Sequence, residues 1–239
     1  MIDLYEFPTP NAWKVSIMLE ECGLPYQVKL IDIVGQGQYA PEFLKINPNN
    51  KIPAIVDHDP PWGGTQTVFE SGAILIYLAD KAGKFLAPSG PKRLEALQWT
   101  FWQAAGLGPM CGQANHFRNY HSENTYGVER YTKEAARLYG VLDRRLEGRD
   151  WIADDYGIAD MMCWGWVWFH QMHGQNLDDF PNVKRWYFEM SKRPAVSRGK
   201  AATVELASDS MKAMYSGPYW SPQPLDPALV KARSGNTKA

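Results

Sequence analysis

The first 85 residues alternate between short apolar runs typical of β-strands and longer segments whose apolar residues recur every three or four positions, as in helices. The strand pattern covers residues 2–7, 26–33, 52–56 and 67–69. The helical pattern covers residues 12–22, 41–46 and 71–82. The predicted order of elements is therefore βαβ, α, ββα.

After the turn-forming segment Pro88-Ser89-Gly90-Pro91, almost every apolar pattern is helical. Helices are predicted at residues 92–105, 126–146, 160–172, 183–191 and 194–206. Trp164, Trp166 and Trp168 alternate at period two, which alone favours a strand. Because this run is apolar on all sides and lies among helices, we expect a buried central helix instead.

Two domains and a tail follow from this change of pattern. We expect an α/β domain at residues 1–86, a linker at 87–91 and an all-helical domain at 92–210. Residues 211–239 carry four prolines after position 217 and end in polar residues, so we expect an extended or partly disordered tail.

Composition narrows the class of protein. Twenty-five basic and twenty-six acidic residues give a net charge of −1, which does not favour binding to nucleic acid or to an anionic membrane. Three isolated cysteines argue against a disulfide scaffold, and the N-terminus does not have the pattern of a signal peptide. We therefore expect a cytoplasmic protein. Its ten tryptophans must lie in a core, an interface or a ligand site, and Trp13 is expected to flank such a site.

Thr9-Pro10-Asn11 separates the first predicted strand from the first predicted helix. A proline at the first helical position and a threonine before it are typical of a helix N-terminus, where backbone N–H groups favour an anion such as a thiolate. The Thr9 hydroxyl and the Asn11 amide can both donate hydrogen bonds to a sulfur. An ordinary helix cap remains the favoured interpretation of the tripeptide alone.

Two further segments combine turn geometry with groups that can hold a peptide-like ligand. Pro53 begins a predicted strand, and a cis bond before it would leave the backbone of Ile52 free to pair with a ligand. Glu70 and Ser71 precede a helix, where the carboxylate suits an ammonium group and the hydroxyl suits a carboxylate. When each segment is taken alone, a plain edge proline and an ordinary helix cap are the favoured interpretations.

Taken together, the segments resemble the glutathione S-transferase superfamily over about residues 1–210. The resemblance is greatest to its nu class, which includes a bacterial disulfide-bond oxidoreductase and relatives of the yeast prion nitrogen regulator. It rests on Phe7-Pro8-Thr9-Pro10-Asn11, Pro48-Asn49-Asn50-Lys51-Ile52-Pro53-Ala54-Ile55-Val56-Asp57 and Phe69-Glu70-Ser71-Gly72-Ala73-Ile74. It implies a thioredoxin-like N-terminal domain with a mixed four-stranded sheet, an all-helical C-terminal domain and a homodimer.

The resemblance also implies roles for individual residues. Thr9 and Asn11 would hydrogen-bond the sulfur of glutathione in place of the Tyr, Ser or Cys of other classes. The remaining glutathione-binding positions that it implies are Gln38, Lys51, Ile52, Pro53, Glu70, Ser71 and Arg130. Glutathione is the expected co-substrate, and no metal is expected.

The implied activity is glutathione-dependent disulfide reduction, with transferase and peroxidase side activities on a small disulfide or electrophile. Two alternatives stay open: a non-catalytic interaction protein on the same fold, and a transferase acting on one aromatic electrophile. The segment 115–121 fits either an acceptor pocket or a surface loop. A metal site at His170 and His173, or a cysteine nucleophile, is a weaker interpretation.

Overall fold

A computed structural model describes residues 1–215, with the side chains of Ser210 and Met214 left aside. Its sheet has four strands, β1 (Ile2–Glu6), β2 (Tyr26–Leu30), β3 (Ala54–Asp57) and β4 (Gln66–Phe69). The spatial order is β2-β1-β3-β4, with β2 parallel to β1 and with β3 and β4 each antiparallel to its neighbour. This is the mixed sheet of the predicted thioredoxin-like domain.

The helices of this domain begin and end where the sequence places the breakers. They are α1 (Ala12–Cys22), α2 (Pro41–Leu44) and α3 (Ser71–Ala82). Gly23 and Gly83 follow α1 and α3 in the left-handed conformation, at φ 69° and 64°, which a glycine adopts without steric cost.

The second domain is helical throughout its regular structure. Its helices are α4 (Gly90–Trp102), α5 (Gly108–Tyr120), α6 (Thr125–Arg145), α7 (Ile158–Trp168), α8 (Pro181–Ser191), α9 (Pro194–Val204) and α10 (Asp209–Tyr215). The tryptophan run forms the helix α7, as predicted. Helix α4 begins at Gly90, inside the segment expected to be a linker.

Residues 103–120 differ most from the sequence prediction. A turn of π-helix, Gln103–Leu107, joins α4 directly to α5, so residues 106–120, which lie outside the predicted helices, continue one helical segment. Gly108 and Gly112 are close to the Trp166 ring, where an added Cβ would come within 3.4 Å of ring atoms. The glycines therefore serve close packing here and do not end a helix.

The tail was expected to begin at residue 211, but the helical structure continues to residue 215. Residues 211–215 belong to α10, and its last residue, Tyr215, is buried against Trp13 with ring centroids 5.4 Å apart. The Tyr215 hydroxyl donates to the carbonyl of Pro8 at 3.0 Å. Burial of this aromatic ring stabilises the helix; residues 216–239 lie outside the described part of the chain.

The two domains pack on both sides of α1. At Gly199 on α9, an added Cβ would lie 2.6 Å from the backbone nitrogen of Ile17. At Gly165 on α7, it would lie 2.8 Å from the carbonyl oxygen of Pro10. Trp13 is fully buried in this contact, so the expectation that it flanks the ligand site is wrong. The turn between β1 and α1 is consequently held between the domains.

Candidate functional site

A cleft of about 600 Å³ lies between the two domains. Six of the nine residues predicted from the sequence line it, namely Asn11, Lys51, Ile52, Pro53, Glu70 and Ser71. The opposite wall comes from the helical domain, through side chains and backbone at Gln103, Gly108, Gly112, His116 and Trp166. The volume is typical of a small-molecule site.

Three predicted residues lie outside the lining of this cleft. Thr9 accepts a hydrogen bond from the Ala12 backbone nitrogen at 3.2 Å, which is the geometry of a helix cap. Gln38 is half-buried, and Arg130 is exposed with its guanidinium on the Tyr126 hydroxyl at 3.2 Å.

The orientation of the Asn11 amide is set by the helical domain. The Trp166 indole Nε1 donates to Asn11 Oδ1 at 3.1 Å. An indole N–H can only donate, so this contact identifies the oxygen end of the amide and leaves the Nδ2 group as the donor. No partner for Nδ2 occurs among the described residues. Asn11 therefore presents a hydrogen-bond donor at a cleft large enough for a tripeptide.

The loop before β3 is anchored by a buried asparagine that the sequence analysis missed. Asn47 Nδ2 donates to the carbonyl of Lys51 at 2.6 Å, and its Oδ1 accepts from the backbone nitrogen of Asn49 at 2.9 Å. The Ile52–Pro53 peptide bond that follows is cis, as the sequence analysis anticipated. The Asn47-Pro48 pair was visible only as a helix breaker; its anchoring role depends on the fold.

Glu70 and Ser71 occupy the N-terminus of α3. Glu70 adopts φ 68° and ψ 114°, which carries the chain from β4 into the helix at the edge of the cleft. Neither residue makes a side-chain cap in the described structure. The free N–H groups at this end of α3 and the Ser71 hydroxyl together favour a carboxylate.

Lys14 is the second residue that sequence reasoning missed. Its side chain is 2% exposed, and its Nζ donates to Gln103 Oε1 at 2.8 Å and to Ser71 Oγ at 3.3 Å. Burial lowers the pKa of Lys14 to about 7, against smaller opposing effects of Cys163 and Glu70. The only signal in the sequence is a lysine within residues 12–19 of α1, which are otherwise apolar or small.

The remaining candidate groups do not compete with this site. Cys22, Cys111 and Cys163 lie outside the cleft lining, and burial raises the pKa of each thiol. His170 and His173 are buried, and burial lowers the pKa of both. Within residues 1–215, no cluster of three or more His, Cys, Asp or Glu side chains has an arrangement suited to a metal.

Two family models cover most of the chain. Residues 9–81 match the glutathione S-transferase N-terminal domain, and residues 107–194 match the glutathione S-transferase C-terminal domain. No described helix is long and apolar enough to span a membrane.

Two Escherichia coli relatives match most of this chain. The disulfide-bond oxidoreductase YfcG of Escherichia coli K12 is 48% identical over 216 residues, which are 88% of this chain and 100% of that protein. Disulfide-bond oxidoreductase YghU of the same organism is 40% identical, over 83% of this chain and 74% of that protein.

Solved structures agree with the sequence matches. A Pseudomonas fluorescens glutathione transferase family member with two glutathione molecules bound has a TM-score of 0.79 and 47% identity, covering 83% of this chain and 92% of that one. A Pseudomonas putida glutathione transferase with one glutathione disulfide per subunit has a TM-score of 0.79 and 42% identity, covering 83% and 90%. With its cleft at the junction of a thioredoxin-like and a helical domain, this chain belongs to the glutathione S-transferase family.

Proposed function

We propose that this protein is a glutathione-dependent disulfide-bond oxidoreductase of the nu class. The observation that carries the proposal is a cleft with an oriented amide donor, Asn11 Nδ2, and no cysteine among its described lining residues. A site built for thiol chemistry without a protein thiol requires a nucleophile that arrives with the ligand. Glutathione supplies such a thiol, and its γ-glutamyl end matches the Glu70–Ser71 pair.

In the proposed reaction, the glutathione thiolate attacks one sulfur of a small disulfide. A new S–S bond joins glutathione to that sulfur, and the other half of the substrate leaves as a thiolate. A second glutathione thiolate then attacks the mixed disulfide, which yields glutathione disulfide and the second substrate thiol. The protons lost by two glutathione thiols end on the two product thiols, so atoms and electrons balance.

The protein contributes binding and electrostatic stabilisation to these steps. Asn11 Nδ2 donates to the sulfur, which favours the thiolate, and the backbone of Ile52 pairs with the cysteinyl unit of glutathione. Glu70 receives the γ-glutamyl ammonium and Ser71 the adjacent carboxylate. The names of the YfcG and YghU relatives, and the glutathione disulfide in the Pseudomonas putida structure, support disulfide exchange over conjugation.

The test compares two reactions of the same enzyme. Reduction of bis(2-hydroxyethyl) disulfide by glutathione is measured beside conjugation of glutathione to 1-chloro-2,4-dinitrobenzene. We expect the disulfide reaction to dominate. Conjugation without disulfide turnover would support the transferase alternative, and glutathione binding without either reaction would support the non-catalytic interaction protein.

The remaining predicted residues are assigned supporting contacts to the ligand. We propose that Thr9 also donates to the sulfur, and that Gln38, Lys51 and Arg130 reach the glycyl end of glutathione or a bound disulfide. Thr9→Val beside Asn11→Asp separates the two donors: a loss in Asn11→Asp alone would assign the sulfur contact to Asn11. A cytoplasmic homodimer, testable by light scattering and cell fractionation, completes the proposal.

A further inference from the structure

The floor of the cleft contains a buried lysine without an ion pair among the described residues. Lys14 Nζ is buried, and no carboxylate among the described residues lies within salt-bridge distance of it. Its two hydrogen-bond acceptors, Ser71 Oγ and Gln103 Oε1, are neutral. A buried ammonium held only by neutral groups destabilises a fold, so its position requires a compensating benefit.

The hydrogen bonds of Lys14 fix the direction of two other donors. Because the Ser71 oxygen accepts from Lys14, the Ser71 hydroxyl proton is left to donate into the cleft. Because Gln103 Oε1 accepts from Lys14, the Gln103 Nε2 group is the donor end of the amide. This Nε2 is buried without a partner in the described structure. Both donors belong to residues that line the cleft, and both therefore favour an acceptor atom placed there.

The titratable groups around Lys14 indicate that the acceptor in the cleft is an anion. Glu70, before α3, and Cys163, on α7, are the titratable groups that face it from the elements packed against α1. Burial keeps the Cys163 thiol neutral by raising its pKa, so among the described residues Glu70 is the carboxylate that faces Lys14. In the proposed complex, Glu70 is engaged by the ligand ammonium. The positive charge of Lys14 then needs a second anion, on the Ser71 side.

We propose that Lys14 is a positioning residue whose buried ammonium is the counter-charge for the γ-glutamyl carboxylate of glutathione, acting through the Ser71 hydroxyl, and orients Gln103 toward the same ligand. The inference rests on the proposed glutathione site and deepens it. The Lys14 side chain, on α1, connects the two domains, because it bonds both Ser71 on α3 and Gln103 in the π-turn.

The role predicts opposite effects on stability and binding. Lys14→Met keeps the length and volume of the side chain but removes the unpaired charge, so the ligand-free protein should melt at a higher temperature. The same variant should bind the ligand about 10-fold more weakly or worse, because a charged partner of the carboxylate is lost. A lysine with a purely structural role would lower the melting temperature when replaced and leave affinity unchanged.

The experiment uses S-methylglutathione, which has no thiol to release a proton. Calorimetric titrations at pH 7.5 in two buffers of different ionisation enthalpy give both affinity and the number of protons taken up. The pKa of Lys14 is about 7 in the free protein, and a carboxylate nearby raises it, so wild type should take up a fraction of one proton. Lys14→Met should lose that uptake together with the affinity.

Lys200→Met is the matched control. Lys200 also has a pKa lowered by burial, to about 8, but its ammonium lies 4.6 Å over the Trp168 ring and outside the cleft lining. This variant should bind S-methylglutathione and take up protons as wild type does. Should Lys14→Met fail to fold, Lys14→Gln retains hydrogen-bonding capacity without the charge.

The outcomes separate this inference from the proposed function. Equal affinity of wild type and Lys14→Met, or a wild type without proton uptake, overturns the role of Lys14. Wild type that binds no S-methylglutathione overturns the glutathione site and this inference with it. Lys14-dependent binding in a protein without disulfide turnover supports the inference and contradicts only the proposed reaction.

Discussion

The two walls of the cleft are built on different principles. The thioredoxin-like wall presents groups at the ends of short elements, such as Asn11 before α1 and Ser71 at the start of α3. The helical wall presents residues along the faces of long helices, such as Gln103, His116 and Trp166. Groups at element ends follow from local turn chemistry, whereas groups on helix faces depend on how helices pack. The first wall is therefore visible in the sequence and the second is not.

The walls nevertheless depend on each other. Trp166 orients the Asn11 amide, Gln103 accepts from Lys14, and Gly165 allows α7 to approach the Pro10 backbone. If the comparison holds, substitutions on the helical wall should alter the chemistry of the thioredoxin-like wall without touching the ligand.

The largest effect is expected at the thioredoxin-like wall itself. Asn11→Asp keeps an oxygen for the Trp166 indole but replaces the Nδ2 donor with a negative oxygen. Loss of one donor to a developing or bound anion typically lowers turnover about 10²-fold, and steady-state disulfide reduction measures it. Asn49→Asp adds the same charge to the lining of the same cleft. An equal loss in both variants would mean that net charge, and not the Asn11 donor, controls the rate.

The next effect tests the contact between the walls. Gly165→Ala would place a methyl group 2.8 Å from the Pro10 carbonyl oxygen, so α7 or the turn must shift, at a cost of about 1–3 kcal/mol. We expect a lower melting temperature together with lower turnover. Gly140→Ala on α6 is the control, since its nearest outside atom is the Arg144 side-chain nitrogen at 3.5 Å. It should gain about 0.5–1 kcal/mol. A stable, fully active Gly165→Ala variant would contradict the coupling.

A smaller effect isolates the indole hydrogen bond. Trp166→Phe retains a ring at the helical wall but frees the Asn11 amide to rotate. One such bond contributes about 1 kcal/mol, so disulfide turnover should fall about fivefold. Trp164→Phe instead removes the bond to Ser191 Oγ at 3.0 Å, on the far side of α7. Similar losses of turnover in the two variants would show that tryptophan packing, and not the orientation of Asn11, matters.

The smallest effect is expected at the hydrogen bond between Tyr215, the last residue of α10, and the turn that precedes α1. Tyr215→Phe removes the bond to the Pro8 carbonyl but keeps the ring against Trp13. The expected cost is at most about 1 kcal/mol in chemical denaturation, with a slight loss of turnover. Unchanged stability would show that the ring alone holds α10 in place.

The sequence predicted the order of strands and helices and the N-terminal half of the candidate site. Those predictions rested on residues that end helices or begin strands, such as the glycines after α1 and α3 and the Ile52–Pro53 pair. The tryptophan run showed where period and context disagree: α7 is a helix because its residues are buried on every side.

The rest could not be derived from local patterns. Gly108 and Gly112 lie within helical structure because they allow contact with Trp166, a residue more than 50 positions away. In the sequence, Lys14 is an ordinary polar position on α1. Its burial depends on the packing of α7 and the π-turn against α1. Thr9, Gln38 and Arg130 share the family pattern but are not among the residues that line the cleft.

The burial of α1 has a consequence for biosynthesis. The turn that holds Asn11 is synthesised before its neighbours Gly165, Gly199 and Tyr215, which follow more than 150 residues later. At about 5–20 residues per second, the nascent N-terminal half waits on the order of ten seconds for the surfaces that complete it. During that interval the apolar face of α1 is exposed to binding by chaperones. The cleft is complete only when nearly the whole described chain has been made.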